Sequence, residues 1–206
     1  MARLLVTGFG PFPRAPVNPT VALVTRLART ARRQGIDCVE HVFDTSYACV
    51  DRELPALIAA HRPDAIVMFG LAASRKRVSI EVMARNRAAI WLPDATGAMR
   101  SHAAIESGGP ASRRGLAPFM RLMAAARATR VPAALSRDAG NYLCNYVYWR
   151  ALEAARKPGG PRLAVFVHVP RVGQTFRPRA RSKRREFTLD QLARAGRAII
   201  LAASRH

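Results

Sequence analysis

The sequence is poor in acid: 13 Asp and Glu residues stand against 34 Lys and Arg, a formal net charge of +21 over 206 residues. Lysine is scarcer still, with only Lys76, Lys157 and Lys183, so nearly all the positive charge is arginine. Arginine alongside abundant alanine fits a GC-rich coding bias, so the excess is not by itself a binding signal. The densest cluster, Arg177–Arg185 (RPRARSKRR), contains no aromatic residue on which a base could stack. No helix-turn-helix, zinc or RNA-binding signature accompanies it. A solvated basic loop is expected there, and nucleic acid is not an expected partner. Cysteine is limited to Cys38, Cys49 and Cys144, an odd count without CxxC or metal-ligand spacing, which excludes a disulfide framework and leaves no metal site to assign. Long apolar runs are missing, so no membrane partner is expected. MARLLVTGF enters a strand pattern directly instead of a signal peptide, and the expected location is the reducing cytoplasm. Internal repeats and low-complexity tracts are absent as well.

What is present is an alternation of strand and helix patterns in a chain that is 50% hydrophobic. Strands are expected at Arg3–Thr7, Cys38–Phe43, Ala65–Phe69, Val78–Ala84, Pro132–Leu135 and Leu163–Val167. Helices are expected at Pro19–Arg33, Asp51–His61, Leu116–Arg127, from Asn141 onward, and over Phe187–Ala203, with Asn18 and Thr188 as N-caps. Runs such as AIVMF and LAVFV lack polar alternation, which suits parallel strands covered on both faces. The expectation is a single α/β domain spanning residues 1–206, a three-layer α/β/α sandwich on a mainly parallel twisted sheet. Ligands in such folds bind beyond the carboxyl ends of the strands, so polar residues at strand ends are the candidates.

Three stand out. Cys144 lies in SRDAGNYLCNYVYWR, in the first turn of a predicted helix just past a Gly-containing turn. Unpaired backbone N–H groups and the positive end of the helix dipole there favour a thiolate. A lone cysteine is more often a small buried hydrophobe, so partners must decide. His168 stands at the carboxyl end of LAVFV, where a general base would be placed. Glu81, in VSIEVMA, is a carboxylate in an apolar strand and needs a partner. One of Arg75, Arg77, Arg85 and Arg87 could neutralise it. Alternatively it accepts the second imidazole N–H of His168, as the acid of a nucleophile–base–acid triad.

Four separated blocks then give a specific likeness. TGFGPF with NPT (Thr7–Phe12, Asn18–Thr20), FGLAASRKRVSIEVMARN (Phe69–Asn86), AGNYLCN (Ala139–Asn145) and VHVP (Val167–Pro170) resemble, in order and spacing, the motifs of the pyroglutamyl peptidase I family of cysteine peptidases. The resemblance covers nearly the whole chain. It implies a cofactor-free enzyme that removes N-terminal pyroglutamate (5-oxoproline) from peptides, with Glu81, Cys144 and His168 as the catalytic residues. It further implies that Phe9, Phe12, Tyr142 and Leu143 line the ring pocket and that Leu71 supplies a backbone contact. N-terminally pyroglutamylated peptides are then the expected partners, and a homo-oligomer, a tetramer in the family, the expected assembly.

The chain departs from the family pattern at three places. Trp91 stands where the family has an arginine thought to stabilise the oxyanion, Ala73-Ser74 replaces a Gly-Gly, and Tyr142 adds a hydroxyl to a phenylalanine position. Arg85 and Arg87 are the candidates to stand in for the missing arginine. Trp91 keeps open a family-like hydrolase with altered substrate or weak activity, and the Arg177–Arg185 cluster keeps open a basic nucleic-acid- or anion-binding protein on the same fold.

Overall fold

The computed structural model describes residues 2–12, 15–176 and 185–205. Residues 177–184 of the basic cluster lie outside the described residues. Six strands build one sheet: β1 (Arg3–Phe9), β2 (Asp37–Phe43), β3 (Ala65–Leu71), β4 (Val78–Glu81), β7 (Ala133–Ser136) and β8 (Leu163–Val169), in the order β2-β1-β3-β8-β4-β7. Every neighbouring pair is parallel except β4 and β8, which run antiparallel.

The two-residue period of the strands sorts their side chains into two cores. Leu4, Val6, Val67, Val165 and Val167 pack under α1 (Pro19–Arg33), α3 (Phe119–Ala128) and α5 (Leu189–Ser204). Leu5, Ile66, Met68, Ala164 and Phe166 pack under α2 (Tyr47–His61) and α4 (Leu143–Ala154). Helices therefore cover both faces of a mostly parallel sheet, the three-layer α/β/α sandwich expected from the alternating pattern. No helix among the described residues is long and apolar enough to cross a membrane.

Local signals set the helix ends. Asn18 accepts the Thr20 N–H and Pro19 opens α1, while Thr188 and Gln191 form a reciprocal capping box on α5. Helix α2 begins at Tyr47 and not at Asp51, because the Ser46 hydroxyl accepts the Cys49 N–H and caps the earlier turn. Helix α3 begins at Phe119 and not at Leu116, because Pro118 stands in the way.

The run Val78–Ala84, expected as one strand, is broken at Val82. The Val82 N–H donates to Ser136 O, but its carbonyl accepts from Gly115 N, which diverts the chain out of the main sheet. β5 (Met83–Arg85) then pairs antiparallel with β6 (Ser112–Arg114) in a separate ribbon. The intervening 86–111 excursion is irregular and is organised by side chains. Asn86 Oδ1 accepts from Ile105 N and Glu106 N. Buried Asp94 accepts from the N–H groups of Tyr47, Thr96 and Ala98. A short antiparallel pair, β9 (Thr175–Phe176) with β10 (Arg185–Glu186), precedes α5.

Candidate active site

The carboxyl ends of β1, β3 and β8 form one rim of the sheet. On β8, Phe166 and His168 point to the α2/α4 side, and their rings meet edge-on at 4.9 Å. His168 is flanked in register by Gly70 of β3 on one side and by Ser79 of β4 on the other. Glu81 is opposite Phe166, two residues away from that rim, because β4 runs against β8. The sequence places Glu81 at a strand end beside the other two candidates. It is indeed the last residue of β4, but that end points into the sheet, and the long side chain spans the diagonal to His168.

Glu81 is fully buried. Its Oε1 lies 2.8 Å from His168 Nδ1 and 2.5 Å from Arg75 Nη1, so the arginine pairing and the histidine pairing coexist on one oxygen. Arg75 is itself steadied by donating its other terminal nitrogen to the Asp138 carbonyl. Among the described residues, Oε2 has no hydrogen-bond partner. A buried acceptor left open costs about 1–3 kcal/mol, so this carboxylate is held at some expense of stability. Two charged or chargeable neighbours on the other oxygen offset the cost of burying it.

Cys144 is the second residue of α4. The chain enters the helix through Gly140, whose φ of 84° lies in the left-handed region that glycine tolerates. Tyr142 offers no side-chain cap, so the start of α4 is not closed by its N-cap residue. The helix is fixed in place by Asn145, which is fully buried: its Oδ1 accepts from Arg85 N, and its Nδ2 donates to Arg85 O and Arg87 O. One turn on, the Tyr148 hydroxyl donates to the backbone carbonyl of Glu81 at 2.8 Å. α4 thus carries the sulfur and at the same time grips the strand that carries the carboxylate. Gly70 makes the room: a Cβ added there would sit 2.8 Å from Cys144 Sγ and 2.5 Å from the Phe166 ring.

Both groups rest uncharged. Burial pushes the Cys144 thiol up to about 12, and the nearby Glu81 charge adds to the shift against the opposing pull of Arg75. The thiolate expected from the helix terminus therefore does not form at rest: removing the sulfur from water outweighs the dipole of one helix turn. Burial likewise holds the His168 imidazole below its ordinary value, overcoming the Glu81 carboxylate that favours imidazolium. No hydrogen bond joins Cys144 Sγ to His168; contacts of this kind often close only when substrate is bound.

Cys144 and His168 line one cavity of about 200 Å3. Phe9, Phe12, Leu71, Tyr142 and Leu143 line the same cavity, so every residue that the resemblance assigns to the pocket is gathered there. The volume suits a single small ring, being below the range of sites for larger ligands. Tyr142 stacks obliquely on Phe12 and edge-on to Tyr47, and its hydroxyl donates to Pro93 O at 2.9 Å. The hydroxyl that departs from the family pattern is thereby bound to the 86–111 excursion. Trp91 is 72% exposed and does not line the cavity. Neither do Arg85 and Arg87; both are exposed, and Arg87 pairs with Asp138 at 3.5 Å. Neither substitute for the missing arginine reaches the cavity. Among the described residues, no group of three His, Cys, Asp or Glu side chains could hold a metal ion.

Gly70, Asn145 and Tyr148 escaped the sequence reading. Gly70 left a signal, a glycine closing an otherwise apolar strand. Tyr148 left none, since only the fold reveals which carbonyl its hydroxyl meets.

The Pyroglutamyl peptidase family matches residues 2–206. The pyrrolidone-carboxylate peptidase of Thermococcus kodakarensis is 32% identical over 168 residues, covering 82% of this chain and 81% of that protein. The corresponding peptidase of Clavibacter michiganensis is 31% identical over 206 residues, covering 98% and 92%. Among solved structures, pyroglutamyl peptidase I of Bacillus amyloliquefaciens superimposes with a TM-score of 0.86 at 27% identity, over 100% of this chain and 98% of that one. Pyrrolidone carboxyl peptidase of Thermococcus litoralis gives 0.84 at 26% identity, over 98% and 93%. The chain belongs to the pyroglutamyl peptidase family.

Proposed function

We propose that this member of the pyroglutamyl peptidase family is a cysteine peptidase that removes N-terminal 5-oxoproline from peptides, with Cys144 as nucleophile, His168 as acid–base and Glu81 as its orienting carboxylate. One observation carries the reading: a thiol and an imidazole share a small, mostly apolar cavity, while a buried carboxylate holds the far nitrogen of that imidazole.

The chemistry follows from this geometry. Glu81 accepts Nδ1–H, which leaves Nε2 of His168 unprotonated and able to act as base. Because thiol and imidazole both rest neutral, the Cys144 proton passes to Nε2 as the sulfur attacks the amide carbonyl. The carbonyl oxygen becomes an oxyanion, and the positive charge on the ring is balanced by Glu81. The uncapped N–H of Cys144 at the start of α4 is the donor aimed at that oxygen. Collapse of the adduct breaks the C–N bond; Nε2 hands its proton to the departing amine, and a thioester remains on Cys144. Water then attacks the thioester with Nε2 again taking a proton, which returns to the sulfur as 5-oxoproline leaves. The position of Trp91 outside the cavity leaves one oxyanion donor fewer than in the family pattern, and such a loss costs about 100- to 1,000-fold in turnover. A modest kcat is expected.

The cavity walls select the substrate. An uncharged lactam fits between Phe9, Phe12 and Tyr142 without burying a charge, whereas a free α-amino group would have to be desolvated. On this reading residues 1–206 work as one domain, without a cofactor, in the cytoplasm and as a homo-oligomer. The test is an assay of the purified protein on pyroglutamyl-, prolyl- and glutaminyl-anilides. Selectivity for the pyroglutamyl compound of at least about 100-fold in kcat/KM is expected, from the cost of leaving the site's polar groups unpaired. Equal rates, or preference for a free amine, would overturn it.

A further inference from the structure

A second depression of about 600 Å3 opens on the other side of His168 from the ring cavity. It is lined by Arg75, Lys76 and Arg77 together with Ser74, Ser79 and Ser136. The sheet order fixes the relation between the two. Phe9 and Leu71 place the ring cavity at β1 and β3, Ser79 and Ser136 place the second depression at β4 and β7, and β8 with His168 runs between them. Ser79 is the register partner of His168, and Arg75 shares Glu81 Oε1 with it. Two residues that line the second depression, Ser79 and Arg75, are thus neighbours of His168 and of its carboxylate.

We propose that this depression is the subsite for the departing side of the substrate and that it recognises negative charge within the first residues after the 5-oxoprolyl group. The inference rests on the pyroglutamyl peptidase reading. With the lactam seated in the ring cavity and the scissile carbonyl at Cys144, the amine that His168 must protonate extends away from the lactam, across β8 toward β4. Three cationic side chains await it there. Arg75 is engaged by Glu81 and the Asp138 carbonyl. Lys76 and Arg77 are exposed and join no ion pair among the described residues. The charge facing them is small: Asp138 is committed to Arg87, and the Glu81 carboxylate to Arg75 and His168. A glutamate or aspartate side chain, or the terminal carboxylate of a short peptide, would meet two free cations and the three serine hydroxyls that also line the depression. A lysine in the same place would be repelled.

The test compares pyroglutamyl-glutamate amide, pyroglutamyl-glutamine amide and pyroglutamyl-lysine amide, which differ in the charge of one side chain. Wild-type protein is expected to prefer glutamate over glutamine by about five- to ten-fold in kcat/KM at low salt, as suits two partly exposed ion pairs, with lysine the poorest. The preference should collapse at high salt, where charges separated by more than about 3 Å are screened. A Lys76→Ser/Arg77→Ser variant should lose the discrimination while hydrolysing the uncharged pyroglutamyl-anilide within about two-fold of wild type, since exposed surface substitutions seldom disturb a fold. Equal rates on the three peptides, or a glutamate preference that survives the double substitution, would overturn the subsite and leave the peptidase reading intact. Failure to hydrolyse any pyroglutamyl compound would overturn that reading, and the subsite with it.

Discussion

The two faces of the sheet are built to different ends. Under α1, α3 and α5 the core is aliphatic and aromatic, and its buried polar side chains are Asn18 and Thr20, which close the cap of α1 and tie it to β1. Under α2 and α4 the same strands carry Ser79, Glu81 and His168, with Asn145 packed against them and Glu81 Oε2 left unpaired among the described residues. The first face mainly stabilises, with Asn18 at the start of α1 also reaching the ring cavity. The second tolerates a buried carboxylate and buries a thiol and an imidazole in their neutral forms, and its carboxylate is held against the imidazole that serves as base. Buried ionisable groups gathered on one face of a sheet covered on both sides are therefore a sign of function.

Two substitutions and one wild-type measurement test how cleanly the two faces separate. The largest effect is expected for Glu81→Gln, which keeps the shape but removes the charge that orients the imidazole. kcat should fall by about 10,000-fold, as in other triads that lose this carboxylate. The acid limb of the pH–rate profile should also move to lower pH, since Glu81 is the group that raises the His168 value against burial. A drop in kcat with an unmoved pH profile would mean that Glu81 is only structural. Next is Leu122→Ala in α3, a fully buried side chain on the other face. It should cost about 2–5 kcal/mol in denaturant unfolding and leave kcat/KM at 25 °C unchanged; a loss of activity in folded protein would show that the faces are coupled. The smallest effect is in the wild-type pH dependence. His168 titrates below its ordinary value of 6.5 in the folded protein, so the active neutral form persists to lower pH and the acid limb of kcat/KM should have its midpoint below 6.5. The unfolded chain binds this proton first, so stability should also decline as pH falls from 6.5 toward the folded value. A midpoint above 6.5 would contradict the buried, neutral imidazole.

Much of the frame is legible in the sequence because strand runs and helix caps are local signals. AIVMF and LAVFV declare strands covered on both faces, and Asn18-Pro19 and Thr188 declare helix starts. The direction of β4 is not written locally, since alternation is the same whichever way a strand runs, and this hides how Glu81 approaches His168 from within the sheet. The state of Cys144 misleads for a related reason. Its helix terminus is visible along the chain, whereas the Phe166 ring, Glu81 and Gly70 that enclose the sulfur arrive from three other strands. The partners of Glu81 show the limit most clearly: Arg75 and His168 read as rival explanations for one buried carboxylate, and the fold satisfies both on one oxygen.

The central claim is that the thiol of α4 is the group that attacks. Turnover of a pyroglutamyl-coumarylamide by a Cys144→Ala variant, measured beside its thermal unfolding, tests this most directly. The account predicts that the variant folds with a Tm close to that of wild type, since the thiol it removes is a small neutral group, and that hydrolysis is lost by about a million-fold, as when a nucleophile is deleted from a triad. Substantial hydrolysis by the folded variant would contradict it.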